Sequence, residues 1–530
     1  MSRELKDLSL KVVEGGLSRR DFMGRAAALG VAAPLASQLL SGTAMANPQR
    51  GGHFIIGNQG GSSTDSLDPA AWASQVPLNF GRNWGETLVY TDPNDGSAQP
   101  LLAESWEASS DAKTWSFKIR KGVTFHNGKE MTIDDVVASL KRHSDESSES
   151  GALGIMKTVG SNFRADGDNL LVELDAGNAD LPFLLSDYHL VIQPNGGVDE
   201  PGAGIGTGPY KIEVNEPGVR HVATRIDGHW NDGNVGWYDS VEVLVINDTT
   251  ARVAALTSGK CHVINRVDPK TVDLLKRAPN LSINNISGRG HYVFISHIDT
   301  APFDNNDLRL ALKYAVNREE LVDKILRGYG SVGNDFPING AYALFPEEIP
   351  QREFDLDKAA FHYKESGHDG SPIVLRTSNA AFGGAEDAAV LFQQTCNTAG
   401  IPLQVKREPQ DGYWSNVWNV QPFSVSYWGG RPTQDQMYSV AYYSSADWND
   451  TRWKVPAFDK MLLEARAELD LTRRKEIYTD MGLMLRDEGG LILPMFNDFI
   501  DASVNKVQGQ LTDPAGGMSN GFIGLRTWFA

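Results

Sequence analysis

The chain has 530 residues, 41% hydrophobic and 22% charged, with a formal net charge of −18. That length exceeds what one hydrophobic core supports and implies about two to four domains or lobes. So acidic a chain, with no compensating basic stripe, speaks against nucleic acid as a partner, and its two cysteines are too few for a disulfide framework. Cys261 and Cys396 permit a single bridge or serve as two small buried apolar residues, and they lack the spacing of zinc ligands.

Residues 1–46 read as a three-part export signal: a polar stretch through Arg20, an apolar run from Ala26 to Leu40, and Ala44-Met45-Ala46, which suits cleavage after Ala46. Within it, Ser18-Arg19-Arg20-Asp21-Phe22-Met23 is similar to the twin-arginine signal, with Gly24 in place of the usual lysine and Arg25 one place later. An uncleaved anchor is the alternative, opposed by Pro34 and by an apolar run short of the roughly 18 residues a span needs. The remainder holds no such run, which places the mature protein in the periplasm as a soluble chain.

The mature part opens with a strand at Phe54-Ile55-Ile56, a Gly/Ser/Asp loop to Asp68-Pro69, and a helical stretch from Val76 to Thr87. Trp115, Phe117 and Ile119 alternate as one face of a strand. Thr132-Ile133-Asp134-Asp135 reads as a capping box opening a helix. Strand patterns recur at 170–174, 210–214 and 241–246, followed by helices at 250–257, 307–327, 458–469 and 472–486. Strands alternating with helices, with no repeat and no long linker, predict α/β lobes between which the chain crosses more than once.

Enzyme signatures are missing: the chain has no G-x-S-x-G, H-E-x-x-H or G-x-x-x-x-G-K-[ST]. Gly202-Ala203-Gly204-Ile205-Gly206-Thr207-Gly208-Pro209 precedes a strand rather than a helix, so it reads as a turn and not a phosphate loop. The 11 histidines are scattered without ligand spacing. Asp134-Asp135 and Glu319-Glu320 sit at helix starts, where negative charge is favourable for its own sake. No catalytic residue, metal or cofactor is expected. Aromatic residues cluster at Tyr413-Trp414, Trp418, Tyr427-Trp428 and Tyr442-Tyr443, mostly as core. Trp428-Gly429-Gly430-Arg431 is set apart, because a strand ending there delivers an apolar face and a guanidinium to one loop, as a ligand pocket requires.

Several motifs in order carry a family resemblance: Glu86-Thr87-Leu88-Val89-Tyr90, then Pro100-Leu101-Leu102-Ala103-Glu104-Ser105-Trp106, then the stretch from Trp115 to Gly128 and Asp134-Asp135-Val136. Leu67-Asp68-Pro69, Gly206-Thr207-Gly208-Pro209-Tyr210 and the run from Leu308 to Arg318 continue it. Together they resemble the family 5 extracellular solute-binding proteins, the peptide, nickel and opine receptors of ABC importers. The resemblance implies an α/β fold of the type II periplasmic-binding-protein kind, two large lobes around a cleft plus a small inserted lobe. Lobe I would comprise 47–88, 201–288 and 493–530, lobe II 89–200, and lobe III 289–492. It also implies a monomer without chemistry of its own that closes on a small ligand and passes it to membrane permease subunits. In peptide-binding members an aspartate after the tryptophan of W-x-x-D takes the ligand amine; here Arg431 follows Gly429-Gly430, and Asp435 comes four residues later. The expected ligand site is therefore Tyr427, Trp428, Gly429 and Arg431, with an acid group at Arg431 and, as a weaker expectation, an amine at Asp435. A secreted hydrolase and a periplasmic sensor signalling to a membrane receptor are the alternatives.

Overall fold

The computed structural model describes residues 48–530 except 73, 95, 146, 161, 410–412, 447 and 511, so the export signal and the Ala46 cleavage position lie outside the described residues. No helix among the described residues is long and apolar enough to cross a membrane.

Local chemistry sets the elements as the residue pattern predicts. In the strand Thr114–Ile119, Trp115, Phe117 and Ile119 are buried while Thr114 and Lys118 face solvent. The helix Ile133–Ser144 starts on a full capping box: the Thr132 hydroxyl accepts the Asp135 amide at 3.4 Å, and the Asp135 carboxylate accepts the Thr132 amide at 2.9 Å. The helix predicted over 76–87 is shorter, Gln75–Trp84, because Gly85 turns the chain extended.

Among the described residues the central sheet has eleven strands. From one edge, Leu403–Arg407, Ile373–Thr377 and Phe423–Trp428 run parallel, and Phe423–Trp428 then pairs antiparallel with the long strand Leu281–Ser296. That strand pairs antiparallel with Leu491–Val504, which hands the sheet to Val263–Ile264, His53–Asn58, Ser240–Val245, Arg220–Arg225 and Tyr210–Glu216. Pairing runs from Leu281 opposite Val504 to Ile295 opposite Leu491, with a register shift between Ser287 and His291. The irregularity falls at Gly288-Arg289-Gly290 and marks a change of core. Before it the sheet packs on Leu256, Val272 and Leu275, and after it on Val293, Ile295 and Tyr438. A bulge at that point bends the ribbon joining the two large lobes. A Cβ at Gly288 would stand 2.7 Å from Phe499 and 2.9 Å from the Asn497 carbonyl oxygen, so the crossing leaves no room for a side chain there.

Large apolar clusters form on both faces of the sheet around Phe294, Leu312 and Phe392 and around Val293, Met481 and Leu493. Another gathers Phe54, Trp72, Trp84, Tyr238 and Ile523, and residues 88–192 enclose their own core around Trp115, Phe117, Val136 and Leu170. Cys261 and Cys396 are free thiols buried in separate clusters.

The run from Leu308 to Arg318 is a set of ties as well as a helix. Its apolar side, Leu308, Ala311, Leu312 and Ala315, enters the core. Arg309 donates to the carbonyls of Phe303 and Glu488 at 2.7 and 2.6 Å, Lys313 to that of Arg486 at 2.8 Å, and Arg318 to the Asp335 carboxylate at 2.7 Å. The first two bind carbonyls at the end of Leu471–Glu488, which the helix itself leaves without partners; Arg352 shares the Arg486 carbonyl at 2.9 Å.

Candidate functional site

The strand Phe423–Trp428 ends in the turn from Gly429 to Pro432, laid against the Arg289 crossing. The reason is steric: a Cβ on Gly430 would sit 2.3 Å from the Arg289 Cβ. Arg289 is buried and its hydrogen bonds are made locally, from Nε to Ala341 O at 2.9 Å and from Nη1 to the carbonyls of Arg431 and Pro432 at 3.4 and 3.3 Å. Its guanidinium lies 5.0 Å from the Tyr342 ring centre, and the Tyr342 hydroxyl accepts the Arg431 amide at 3.1 Å. The half-buried Arg431 folds back, giving Nη1 to the carbonyls of Gly429 at 3.0 Å and Gly430 at 3.3 Å. Burial pushes the neighbouring His291 down to about 4, so it stays neutral at neutral pH.

Facing this turn are elements of other lobes. Arg82 ends the helix Gln75–Trp84, and Asp513, Phe522 and Arg526 come from the last eighteen residues. The guanidinium carbons of Arg82 and Arg526 lie 4.4 and 4.3 Å from the Phe522 ring centre. Arg526 meets the buried Asp513 carboxylate at 3.6 Å, an ion pair too long for a hydrogen bond. Arg82 is 7% exposed, and among the described residues it makes no hydrogen bond or ion pair. Burial lowers its pKa to about 10, which keeps it charged at neutral pH. The segment Asp187-Tyr188-His189 closes the gap: His189 pairs with Asp187 at 2.6 Å, and the Tyr188 phenol, pushed up to about 12 by burial, feels both Arg431 and Arg82. One ring thus stands within electrostatic reach of cations from two lobes.

Of the residues singled out from sequence, Gly429 and Arg431 lie at this junction. Trp428 is placed otherwise. It is 4% exposed in the core, its ring against the partly buried Trp418 and the exposed Trp448, and its indole donates to Asp450 at 3.2 Å, so it supplies no open apolar face. Alternation along the strand turns Tyr427 to the opposite side, exposed and beside Tyr292. Asp435 differs most from expectation. It is buried against Arg466 at 2.9 Å, beside the Arg474–Asp180 pair at 2.7 Å, where the inserted lobe meets Pro456–Ala467 and Leu471–Glu488. A carboxylate engaged there does not stand ready for a ligand amine. Sequence reasoning missed Arg82, Arg289, Asp513 and Arg526, and only the burial of cations without local carboxylates in the chain could have drawn notice to them.

Among the described residues, no group of three or more His, Cys, Asp or Glu side chains could hold a metal. Residues 97–450 match the family model of the bacterial extracellular solute-binding proteins, family 5. The chain is 23% identical over 485 residues to the dipeptide-binding protein of Escherichia coli K12, covering 84% of this chain and 88% of that protein. It is 27% identical over 332 residues to heme-binding protein A of Haemophilus influenzae, covering 55% of this chain and 59% of that one. The structure of AgaA from A. tumefaciens R10 with agropinic acid superposes with a TM-score of 0.75 at 22% identity, over 90% of this chain and 99% of that one. The substrate-binding protein CtaP of Listeria monocytogenes superposes at 0.79 and 20% identity, over 91% and 100%. Crossing strands, interlobe cleft and family match agree, and the chain belongs to the bacterial extracellular solute-binding proteins of family 5.

Proposed function

We propose that the chain is the periplasmic receptor of an ABC importer, capturing a small acid-bearing organic solute, peptide-like, opine-like or an amino-acid derivative, and delivering it to permease subunits. One observation carries the reading: within a chain of net charge −18, the interlobe junction brings together Arg82 and Arg526 on the Phe522 ring and Arg289 against the turn that bears Arg431, with Tyr188 within electrostatic reach of Arg82 and Arg431. Such a concentration of cations suits a carboxylate solute that bridges the lobes and holds them closed. The agropinic acid held by AgaA is a solute of this chemical kind on the same fold. Residues 1–46 are the twin-arginine export signal, cleaved after Ala46. The lobes divide as 47–88, 201–288 and 493–530; 89–200; and 289–492, in agreement with the separate cores and the change of core at Gly288-Arg289-Gly290. The receptor acts as a monomer and carries out no catalysis.

The test is a thermal-shift screen of the purified mature chain against amino acids, opines, short peptides and sugar acids, followed by calorimetry on Arg431→Ala. A ligand at about 100 times its Kd adds about 2.7 kcal/mol of stability, visible as a melting shift. Removing the guanidinium is expected to weaken an acid-bearing ligand about tenfold or more. Unchanged affinity for every such ligand counts against the assignment of Arg431, and turnover of any solute counts against a pure receptor.

A further inference from the structure

We infer that Arg82 and Arg526, beside Phe522, form a second acid-binding subsite facing Arg431, so that the solute is a dianion with an acid group at each end. The inference rests on the cleft being the ligand site and adds the class of ligand.

A buried guanidinium with no hydrogen-bonding partner is costly, and the Nε of Arg82 is withdrawn from water with no acceptor in its place among the described residues. Folded proteins pair buried charges, and an exception of this kind calls for an explanation. The carboxylates near Arg82 are already in use. Asp187 pairs with His189 at 2.6 Å, while Asp513 accepts the Ala515 amide at 3.0 Å and faces Arg526 at 3.6 Å. Neither carboxylate comes within ion-pair or hydrogen-bond distance of Arg82, which leaves its N–H groups, among the described residues, without a protein acceptor beside the Phe522 ring. Arg431 has spent one nitrogen on Gly429 and Gly430, and its other N–H groups make no hydrogen bond among the described residues. Phe522, which Arg82 and Arg526 flank, and Asp513 belong to the C-terminal segment that the Arg289 amide binds through Pro514 O at 3.3 Å, and Arg289 Nη1 also holds the Arg431 carbonyl at 3.4 Å, so the guanidinium groups of lobe I and lobe III meet at one junction beside Tyr188. A monoacid would satisfy one of them and leave the other unpaired. A dicarboxylate satisfies both and, by contacting both lobes, stabilises the closed form.

The experiment uses the mature chain and its Arg82→Met, Arg82→Lys and Arg431→Ala variants. The probes are α,ω-dicarboxylates from succinate to azelate, each beside its monoamide, measured by thermal shift and calorimetry. The expected result is a larger melting shift with a dicarboxylate of fitting length than with its monoamide. The advantage should fall at least tenfold in affinity in Arg82→Met, recover in part in Arg82→Lys, and fall again in Arg431→Ala. Ligand-free Arg82→Met should melt within about 3 °C of wild type, since the side chain keeps its contact with Phe522 and gives up a buried charge that has no hydrogen-bonding or ion-pair partner among the described residues. A larger drop would mean that Arg82 is ion-paired or hydrogen-bonded within the protein and would overturn the proposal. Equal binding of acid and monoamide, or of wild type and Arg82→Met, also overturns it. If monoamides bind and Arg431→Ala abolishes that binding, the second subsite fails while the receptor reading stands. If no probe of either kind binds, the dianion inference fails, and the receptor reading is judged by the wider solute screen.

Discussion

The buried cations of the large lobe permit a quantitative test that needs no ligand. Asp335 is fully buried and accepts both contacts of Arg318 Nη2, at 2.8 and 2.7 Å, Arg352 Nε at 2.8 Å and the Leu493 amide at 3.0 Å. Burial alone would raise its pKa, but Arg318 and Arg352 outweigh that and hold the carboxyl below its ordinary value. Asp335→Asn keeps the shape and removes the charge, leaving the buried Arg318 without a counter-charge and Arg352 with only the part-exposed Asp487 at 2.7 Å. Breaking such a cluster costs about 3–5 kcal/mol. For a unit the size of lobe III, that corresponds to a melting point lower by about 10 °C. A group whose folded pKa is depressed contributes stability above its unfolded pKa, and that contribution is lost as pH falls through the folded value. The gap between wild type and Asp335→Asn should therefore be full at pH 7 and narrow only below about pH 4. Urea titration at pH 7 and at successively lower pH measures both features. A gap under about 1 kcal/mol at pH 7, or one that narrows already at pH 6, would refute the argument.

Two further perturbations address the site and its support. Gly430→Val places a Cβ 2.3 Å from that of Arg289, so the turn bearing Arg431 must lift; calorimetry should show acid-bearing solutes binding about tenfold more weakly or worse, and unchanged affinity would mean the turn does not position Arg431. Asp450, which receives the indole N–H groups of Trp418 at 2.9 Å and Trp428 at 3.2 Å, is pushed up to about 7 by burial. The folded form then holds a proton that the unfolded chain releases near pH 4, so stability is lost as pH rises from about 4 to about 7. Asp450→Asn keeps an acceptor for both indoles without titrating, and its advantage over wild type should grow across that window toward about 4 kcal/mol; a constant difference between pH 5 and pH 8 would show that Asp450 does not titrate there.

Elements whose pattern is local were legible from the residues. The Thr132 cap, the alternation through Trp115 and Ile119 and the helix around Leu308 each depend on neighbours within a turn or two, and each forms as read. Of the proposed site, one half was legible. Arg431 announced itself because Trp428-Gly429-Gly430 gives it an unusual local setting, but Arg82 and Arg526, 444 positions apart in numbering, share the Phe522 ring only after the chain has crossed between lobes. Asp435 misled for the complementary reason. Its position near Trp428 suggested a ligand contact, whereas its partner Arg466 lies 31 residues on, on a different helix. Proximity in sequence carries no information about which of two nearby guanidinium groups a carboxylate will face.

The overall charge also bears on what the cleft can hold. At net −18 the surface repels an anion at long range, yet in physiological salt exposed charges are screened beyond about 8 Å. Charges withdrawn from water are screened much less, so Arg82 at 7% exposure weighs more on a bound acid group than a greater number of solvated carboxylates farther away. The same burial that makes an empty guanidinium costly makes its pairing with a solute favourable, and that gain is collected only when the lobes shut and exclude water. An acidic receptor for acidic solutes is therefore consistent: its surface charge serves solubility, while the sign of its ligand is set by the few cations that folding removes from solvent.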